Sequence, residues 1–292
     1  MSTSTSASKS DDGESPLLFL QELCRELSGG RVELPSFPDV AVRVQSAVAD
    51  PYSTSERIAK VVGADAGLAS RLLTLANSAL LQRGETKVTD LKLAITRIGY
   101  PHVRTAALAF ASGQLRRAPE LAHIRADLEK YWQDSTRIAA LTYAIARENR
   151  CARADEAMLA GLIHNIGKTY IVSRLPGHSV LNADPEMKGR RLREWHAGIG
   201  QAIVENWKLT DDIATAIGGQ YDRERTHDGP ADLQDFLVIA LAIAEQMARE
   251  DGEDPSVAML PGAQALGLDD AAIIRIVLEL QSDLLMLQAA LG

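Results

Sequence analysis

Residues 161–168 read GLIHNIGK, a run of small and apolar side chains broken by His164, Asn165 and Lys168. A neutral imidazole is a common metal ligand, and a lysine ammonium is a point charge suited to phosphate. Asn165→Asp would turn the stretch into HDIGK, a ligand pair followed by a phosphate-contacting lysine. As it stands, the Asn165 amide offers a carbonyl oxygen but no charge. A hard divalent cation that activates water wants anionic oxygens beside its imidazoles and one open coordination position. The stretch is therefore either a weakened metal site or a set of polar side chains used in packing.

Side chains this close in sequence make a site only when several elements converge on them, and nearly every segment of the chain has helical periodicity. Ser15-Pro16 has the form of an N-cap with proline at the first helical position, and Gly29-Gly30 would end that helix. A second helix is predicted from Pro38 through Val40, Val44 and Val48. Ser53 and Glu56 have capping-box spacing before Ile58. Asp65 and Thr89 are predicted caps of the next two helices, Gly99 closes the second of these, and Pro101 opens another. In the second half, helices are predicted over 120–149, 155–166 ending at Gly167, 169–175, 190–207, 211–221, 231–249 and 269–290. A polar loop spans 176–189. No alternating strand pattern and no fixed-period repeat is present. The predicted fold class is all-α, preceded by a disordered polar tail at 1–15.

The chain has 292 residues, of which 46% are apolar and only 4% aromatic, a mix that favours close helix packing. Its formal net charge of −8 argues against a general nucleic-acid binder, which needs a net basic face. Cys24 and Cys151 are far apart and predict reduced thiols. The longest apolar run, Phe236–Ala244, is far short of the roughly 20 residues of a membrane span. No apolar signal segment opens the chain. These features predict a soluble, cytoplasmic protein with no membrane contact.

LPSFPDVAVRVQSAVADPYSTSERIAKVVGADAGLASRLLTLANSAL, followed by VTDLKLAITRIGYPHVRTAALAFA, resembles the HDOD family, the HD-related output domains. The matching features are Leu34-Pro35, Pro38, the helix start at Asp65–Leu68, Leu75-Ala76-Asn77-Ser78, and Ala94-Ile95 ahead of Ile98-Gly99. Ala66 stands where the family usually has proline. The resemblance continues through YWQDSTRIAALTYAIA, AMLAGLIHNIGK, REWHAGIGQAIVENWKLTDDIATAI and FLVIALAIAEQMA. It implies two packed helical subdomains, the second similar to HD phosphohydrolases, at work in bacterial signal transduction. The expected division is a tail at 1–15, a first subdomain at 16–118, an HD-like subdomain at 119–250 and a helical extension at 251–292. Charge followed by proline in RRAPE, 116–120, marks the junction. Val40, Leu72, Leu75 and Ile95 are the expected core of the first half, and Leu162, Ile166, Ile203 and Leu241 that of the second.

The same resemblance implies where a metal site would lie. Asp134 stands where the family has an early histidine, His164 matches the histidine of the His-Asp pair, Asn165 replaces its aspartate, and His196 matches a further histidine. Gln220-Tyr221 stands near a usual His-His pair, and Ile243 replaces the distal aspartate. Asp134, His164, Asn165 and His196 are thus vestigial metal-site positions, expected to lie together, with no metal, cofactor or catalytic residue assigned. His164 is expected to bond Asp134 or Asn165 as a core histidine. Lys168 could contact phosphate, but a lysine at a helix C-terminus needs no ligand, and that explanation is preferred. Asn77 and Ser78 are the family's signature pair, with Asn77 read as architectural. The basic run KGRRLREW at 188–195 reads as a solvated face. His102, His123, His178 and His227 lack ligand-like spacing. The function expected is a non-enzymatic regulatory module acting on a partner signalling protein. The alternatives are a metal-dependent phosphohydrolase with a reduced ligand set and a pocket that binds a nucleotide without cleaving it.

Overall fold

The computed structural model describes residues 16–29, 39–77, 87–151, 153–178, 184–249, 256–278 and 280. The predicted tail, Leu34-Pro35, Pro38 and Ser78 lie outside them. All regular structure among the described residues is helical. The first half holds α1 (Pro16–Ser28), α2 (Asp39–Ala49), α3 (Ser55–Val62), α4 (Ala66–Ala76), α5 (Leu91–Ile98) and α6 (Tyr100–Arg117). A 3-10 turn at Pro119–Ile124 leads into α7 (Arg125–Glu148). Then follow α8 (Ala154–Ile163), α9 (Ile166–Arg174), α10 (Pro185–Asn206), α11 (Asp211–Gly218), α12 (Leu233–Ala248) and α13 (Pro261–Ala265). Residues 270–278 are also helical. None of the described helices is long and apolar enough to cross a membrane.

Local chemistry sets most of the ends. Asp65 caps α4 by accepting the Leu68 N–H, and Gly99, at φ 83°, closes α5 in a backbone region open to glycine. Two caps differ by one residue from expectation. Thr54 rather than Ser53 accepts the Arg57 N–H at α3, and Asp90 rather than Thr89 accepts the Leu93 N–H at α5. In both cases the residue with the right offset to the third N–H wins over its neighbour. α10 starts at Pro185, inside the expected loop, because Asp184 caps it by accepting from the Glu186 and Met187 N–H groups. The Asp-Pro pair was the legible signal.

The break between α8 and α9 falls at His164-Asn165 and not at Gly167, which is helical. Gly167 serves close packing: a Cβ there would sit 2.0 Å from the His196 carbonyl oxygen.

Among the described residues most buried apolar side chains fall into two clusters. The smaller unites α2 to α5 with the first turns of α6 and contains Val40, Leu72, Leu75 and Ile95. The larger is built on α7 to α12 and contains Leu162, Ile166, Ile203 and Leu241. The expected first subdomain began at residue 16, yet Phe19, Leu23 and Leu27 of α1 belong to the larger cluster. The apolar stripe of α1 fits against α10, where the Asn206 amide donates to the Leu27 carbonyl. α6 serves both clusters, Val103, Ala106 and Ala107 in one, Leu108 and Leu115 in the other.

Candidate functional site

Two glycines set the depth at which the polar residues sit. At Gly161 a Cβ would come 2.7 Å from both Ala139 Cα and Thr142 Oγ1, so α8 lies directly against α7. Gly167 lets α9 touch the α10 backbone at His196. The connection His164-Asn165 is thereby held inside the larger cluster, with α7 on one side and α10 on the other. His164, Asn165 and His196 are buried, at 2%, 3% and 0% exposure.

Each polar group has a particular partner or none. His164 Nδ1 lies 2.7 Å from the Gly161 carbonyl. A carbonyl only accepts, so Nδ1 carries the proton and donates. The expected partners of His164, Asp134 or Asn165, are replaced by this backbone group because the helix break points the ring back along α8. His196 Nε2 lies 3.1 Å from the Tyr221 hydroxyl, with the rings edge-on at 5.4 Å between centroids. Gln220 Nε2 donates to the Ile217 carbonyl at 2.7 Å and to the His164 carbonyl at 3.3 Å. Gln220 and Tyr221, where the resemblance expected a histidine pair, therefore fasten the segments carrying His164 and His196. Asn165 Oδ1 and His196 Nδ1 are buried with no hydrogen-bond partner among the described residues.

Burial pushes the His164 pKa down to about 3, the bond to Gly161 opposing and the Lys168 charge adding. His196 is likewise lowered to about 3, by burial first, then Lys168 and His164. Both rings are neutral at ordinary pH. Lys168 acts on both rings and His164 acts on His196, which puts the three in one neighbourhood. Asp134, on α7, acts on Lys168 and on Tyr221 and so borders the same region. Burial raises the Tyr221 pKa to about 12, with Glu245 and Asp134 adding to it.

Lys168 is not at a helix C-terminus. It lies in the first turn of α9, where the helix dipole disfavours a cation. The preferred explanation of this residue is thus overturned: the helix begins at Ile166 and does not end at Gly167. Burial lowers the Lys168 pKa, and Asp134 and Glu245 oppose that shift. Its Nζ lies 6.0 Å from the centre of the Tyr131 ring. Glu245 was not singled out from sequence. It lies two residues beyond Ile243 on α12 and pairs with Arg223. Ile243 itself is 1% exposed within the apolar cluster.

A tetrahedral or octahedral metal needs three or more donor atoms close together. Among the described residues only His227, Asp232 and Asp235 bring three such atoms within 4.8 Å of one another. Asp134, His164 and His196 do not form such a group. The His227 group escaped the sequence reading because its members meet through a loop return. Arg225 already supplies its cation, 2.9 Å from Asp232 and 2.8 Å from Asp235, while His227 Nε2 lies 2.8 Å from Asp235. Asp232 and Asp235 also form the capping box of α12.

In the first half, Asn77 Nδ2 donates to the Leu73 and Val88 carbonyls and its Oδ1 accepts the Val88 N–H, each at 2.8 Å. It ties the chain returning at Val88 to the end of α4.

The HDOD domain profile matches residues 34–223. The chain belongs to the HDOD domain family. Solved structures share this HDOD fold. One, from Shewanella amazonensis SB2B, described as a candidate metal-dependent phosphohydrolase, superposes with a TM-score of 0.69 at 23% identity, over 94% of this chain and 98% of that one. An HDOD domain protein of unknown function from Geobacter sulfurreducens gives 0.61 at 20% identity, over 92% and 96%. A candidate signal transduction protein from Marinobacter aquaeolei VT8 gives 0.60 at 21%, covering 94% of this chain and 65% of that one. No curated protein matches the HDOD chain significantly by sequence.

Proposed function

We propose that this HDOD chain is a non-catalytic signal-transduction module of the bacterial cytoplasm, which acts by binding a partner signalling protein. The observation that carries the reading is the double fastening by Gln220 and Tyr221: the positions that would complete a ligand set instead hold the His164 carbonyl and the His196 ring. Ile243 supports it, since an alkyl side chain buried at the distal ligand position supplies no oxygen. A buried divalent charge with Asp134 alone as carboxylate among these positions would be poorly compensated. The signalling context rests on the family and on the description of the Marinobacter relative.

The alternative, a phosphohydrolase with a reduced ligand set, draws on the description of the Shewanella relative and on the placement of Lys168 at the start of α9, where an anion would be welcome. Turnover decides between them. The full chain, purified without chelator or nickel affinity, is assayed on cyclic dinucleotides and nucleoside phosphates with added Mn²⁺ or Mg²⁺. The expected result is no turnover and no stoichiometric Fe, Mn or Zn. Turnover that disappears in both His164→Ala and His196→Ala, with both variants folded by circular dichroism, would overturn the proposal.

A further inference from the structure

An open groove runs between α1 and α10. It leaves about 520 Å³ for the centres of water-sized atoms. One water needs roughly 10–15 Å³ of such space, so whole side chains fit. Leu20 and Leu27 line the groove from α1, and Trp195, Ile199 and Ala202 from α10. Gly198 lies among them, and a Cβ there would meet no atom of the described residues within 4 Å. Leu20, Trp195 and Ala202 are only partly buried, which leaves apolar surface facing water. Leu17, 60% exposed, stands three residues before Leu20 and carries the same face of α1 one turn further. Contiguous apolar surface of this kind marks an interaction site.

The rim of the groove is acidic. Glu194 and Glu205 line it, and among its described lining residues there is no lysine, arginine or histidine. The two carboxylates are three helical turns apart, roughly 16 Å along one face of α10. Glu194 pairs with Arg191 at 2.6 Å on the same helix. Glu205 accepts from the Gln201 amide at 3.0 Å and has no cationic partner among the described residues. The ends of this chain outside the described residues do not match that rim. Residues 281–292, QSDLLMLQAALG, hold an aspartate and no basic residue, and residues 1–15 have no apolar stripe.

We infer that the groove docks an amphipathic helix of the partner signalling protein, with its apolar face inward and lysine or arginine along its edge. Apolar side chains at i, i+3, i+4 and i+7 of that helix lie between α1 and α10. Its cations meet Glu205 at one end and Glu194 at the other, which fixes register and direction. The inference rests on the proposed role of the chain as a partner-binding module and names the surface that does the binding.

The probe is a synthetic amphipathic helix of leucine and lysine, with leucine at the spacing above, titrated into the full chain. Two groups of the groove report on it. Trp195 lines the groove whereas Trp132 and Trp207 do not, and Cys24, which is exposed, lines it whereas Cys151 does not. The expected result is a saturable change in tryptophan emission together with slower reaction of Cys24 with an aromatic disulfide reagent. The same peptide with glutamate for lysine should bind at least about tenfold more weakly, because like charges then face each other at both ends. Glu205→Lys should weaken the lysine peptide about tenfold for the same reason. Gly198→Leu, which fills the groove without meeting a described atom at Cβ, should abolish both signals while circular dichroism is unchanged. No saturable change, equal affinity for the glutamate peptide, or undiminished binding to Gly198→Leu would overturn the inference. A Cys24 already protected in the peptide-free chain would also overturn it, since a second copy or another segment of this chain would then fill the groove. None of these outcomes bears on turnover, which tests the non-catalytic reading separately.

Discussion

At the scale of single residues, His164 and His196 are neutral by burial, and this has a measurable consequence. Both folded-state pKa values are lowered to about 3 from 6.5, with burial the first cause. The unfolded chain therefore binds more protons below pH 6.5, and stability is complete above that value and falls as the solution is acidified towards pH 3. Each pH unit in that window costs up to about 1.4 kcal/mol per histidine. His227, raised by its bond to Asp235, works in the opposite direction but is exposed to solvent. The depressed carboxylates Glu26 and Asp232 lose their contribution only below the usual carboxylate range, so an interval from pH 7.5 to 5 isolates the histidines. Urea unfolding at these two pH values should show lower stability at pH 5 in the wild type and a shallower loss in His196→Asn. Equal stability at both values would contradict neutral burial of the pair. The identity of these residues was legible in HNIGK and WHAGIG, because motif spacing survives substitution. Their partners were not. Gly161 and Tyr221 are chosen by the helix break and by the return of the chain after α11, and Glu245 reaches the region only through the register of α12.

At the scale of elements, side chains that act on their own backbone were readable. Asp65 and Gly99 cap or close helices using groups within three or four residues. Gly167 was misread because glycine has two meanings, a stop or a close approach, and only the neighbour distinguishes them. The same mistake reversed the position of Lys168 on its helix. Gly167 and Gly198 separate the two meanings by experiment. A Cβ at 167 would meet the His196 carbonyl oxygen at 2.0 Å, whereas at 198 no atom of the described residues lies within 4 Å. Gly167→Ala should push α9 from α10 and destabilise by about 2 kcal/mol or more. Gly198→Ala, inside α10, should stabilise by about 0.5–1 kcal/mol because alanine loses less backbone freedom. Chemical denaturation of both variants measures the pair. A harmless Gly167→Ala would show that α9 and α10 are not in backbone contact.

At the scale of the whole molecule, the all-helical class followed from periodicity and from the low share of aromatic side chains, 4%, but the grouping of helices did not. α1 precedes the first-half helices in sequence and packs with the second-half ones. Phe19, 1% exposed, packs at a tilt against His178, with 4.2 Å between ring centroids, and against Trp195 at 6.4 Å. Glu26 accepts from the Tyr170 hydroxyl at 2.6 Å and from Arg174 at 2.8 Å. Burial alone would raise the Glu26 pKa, yet these two bonds hold it below the usual value. An amphipathic pattern tells that a face is buried, not which neighbour buries it. The placement of α1 predicts an asymmetric response to mutation. Phe19→Ala removes a fully buried ring from the larger cluster and should cost about 3–5 kcal/mol. The lost protection should appear in hydrogen exchange first at the amides of α9 and α10, while α3 and α5, which share no cluster with Phe19, keep theirs. Glu26→Gln, which keeps the size of the side chain and removes its charge, should produce a smaller loss with the same distribution. Earlier exchange in α3 and α5 than in α9 would show that α1 belongs with the first half after all.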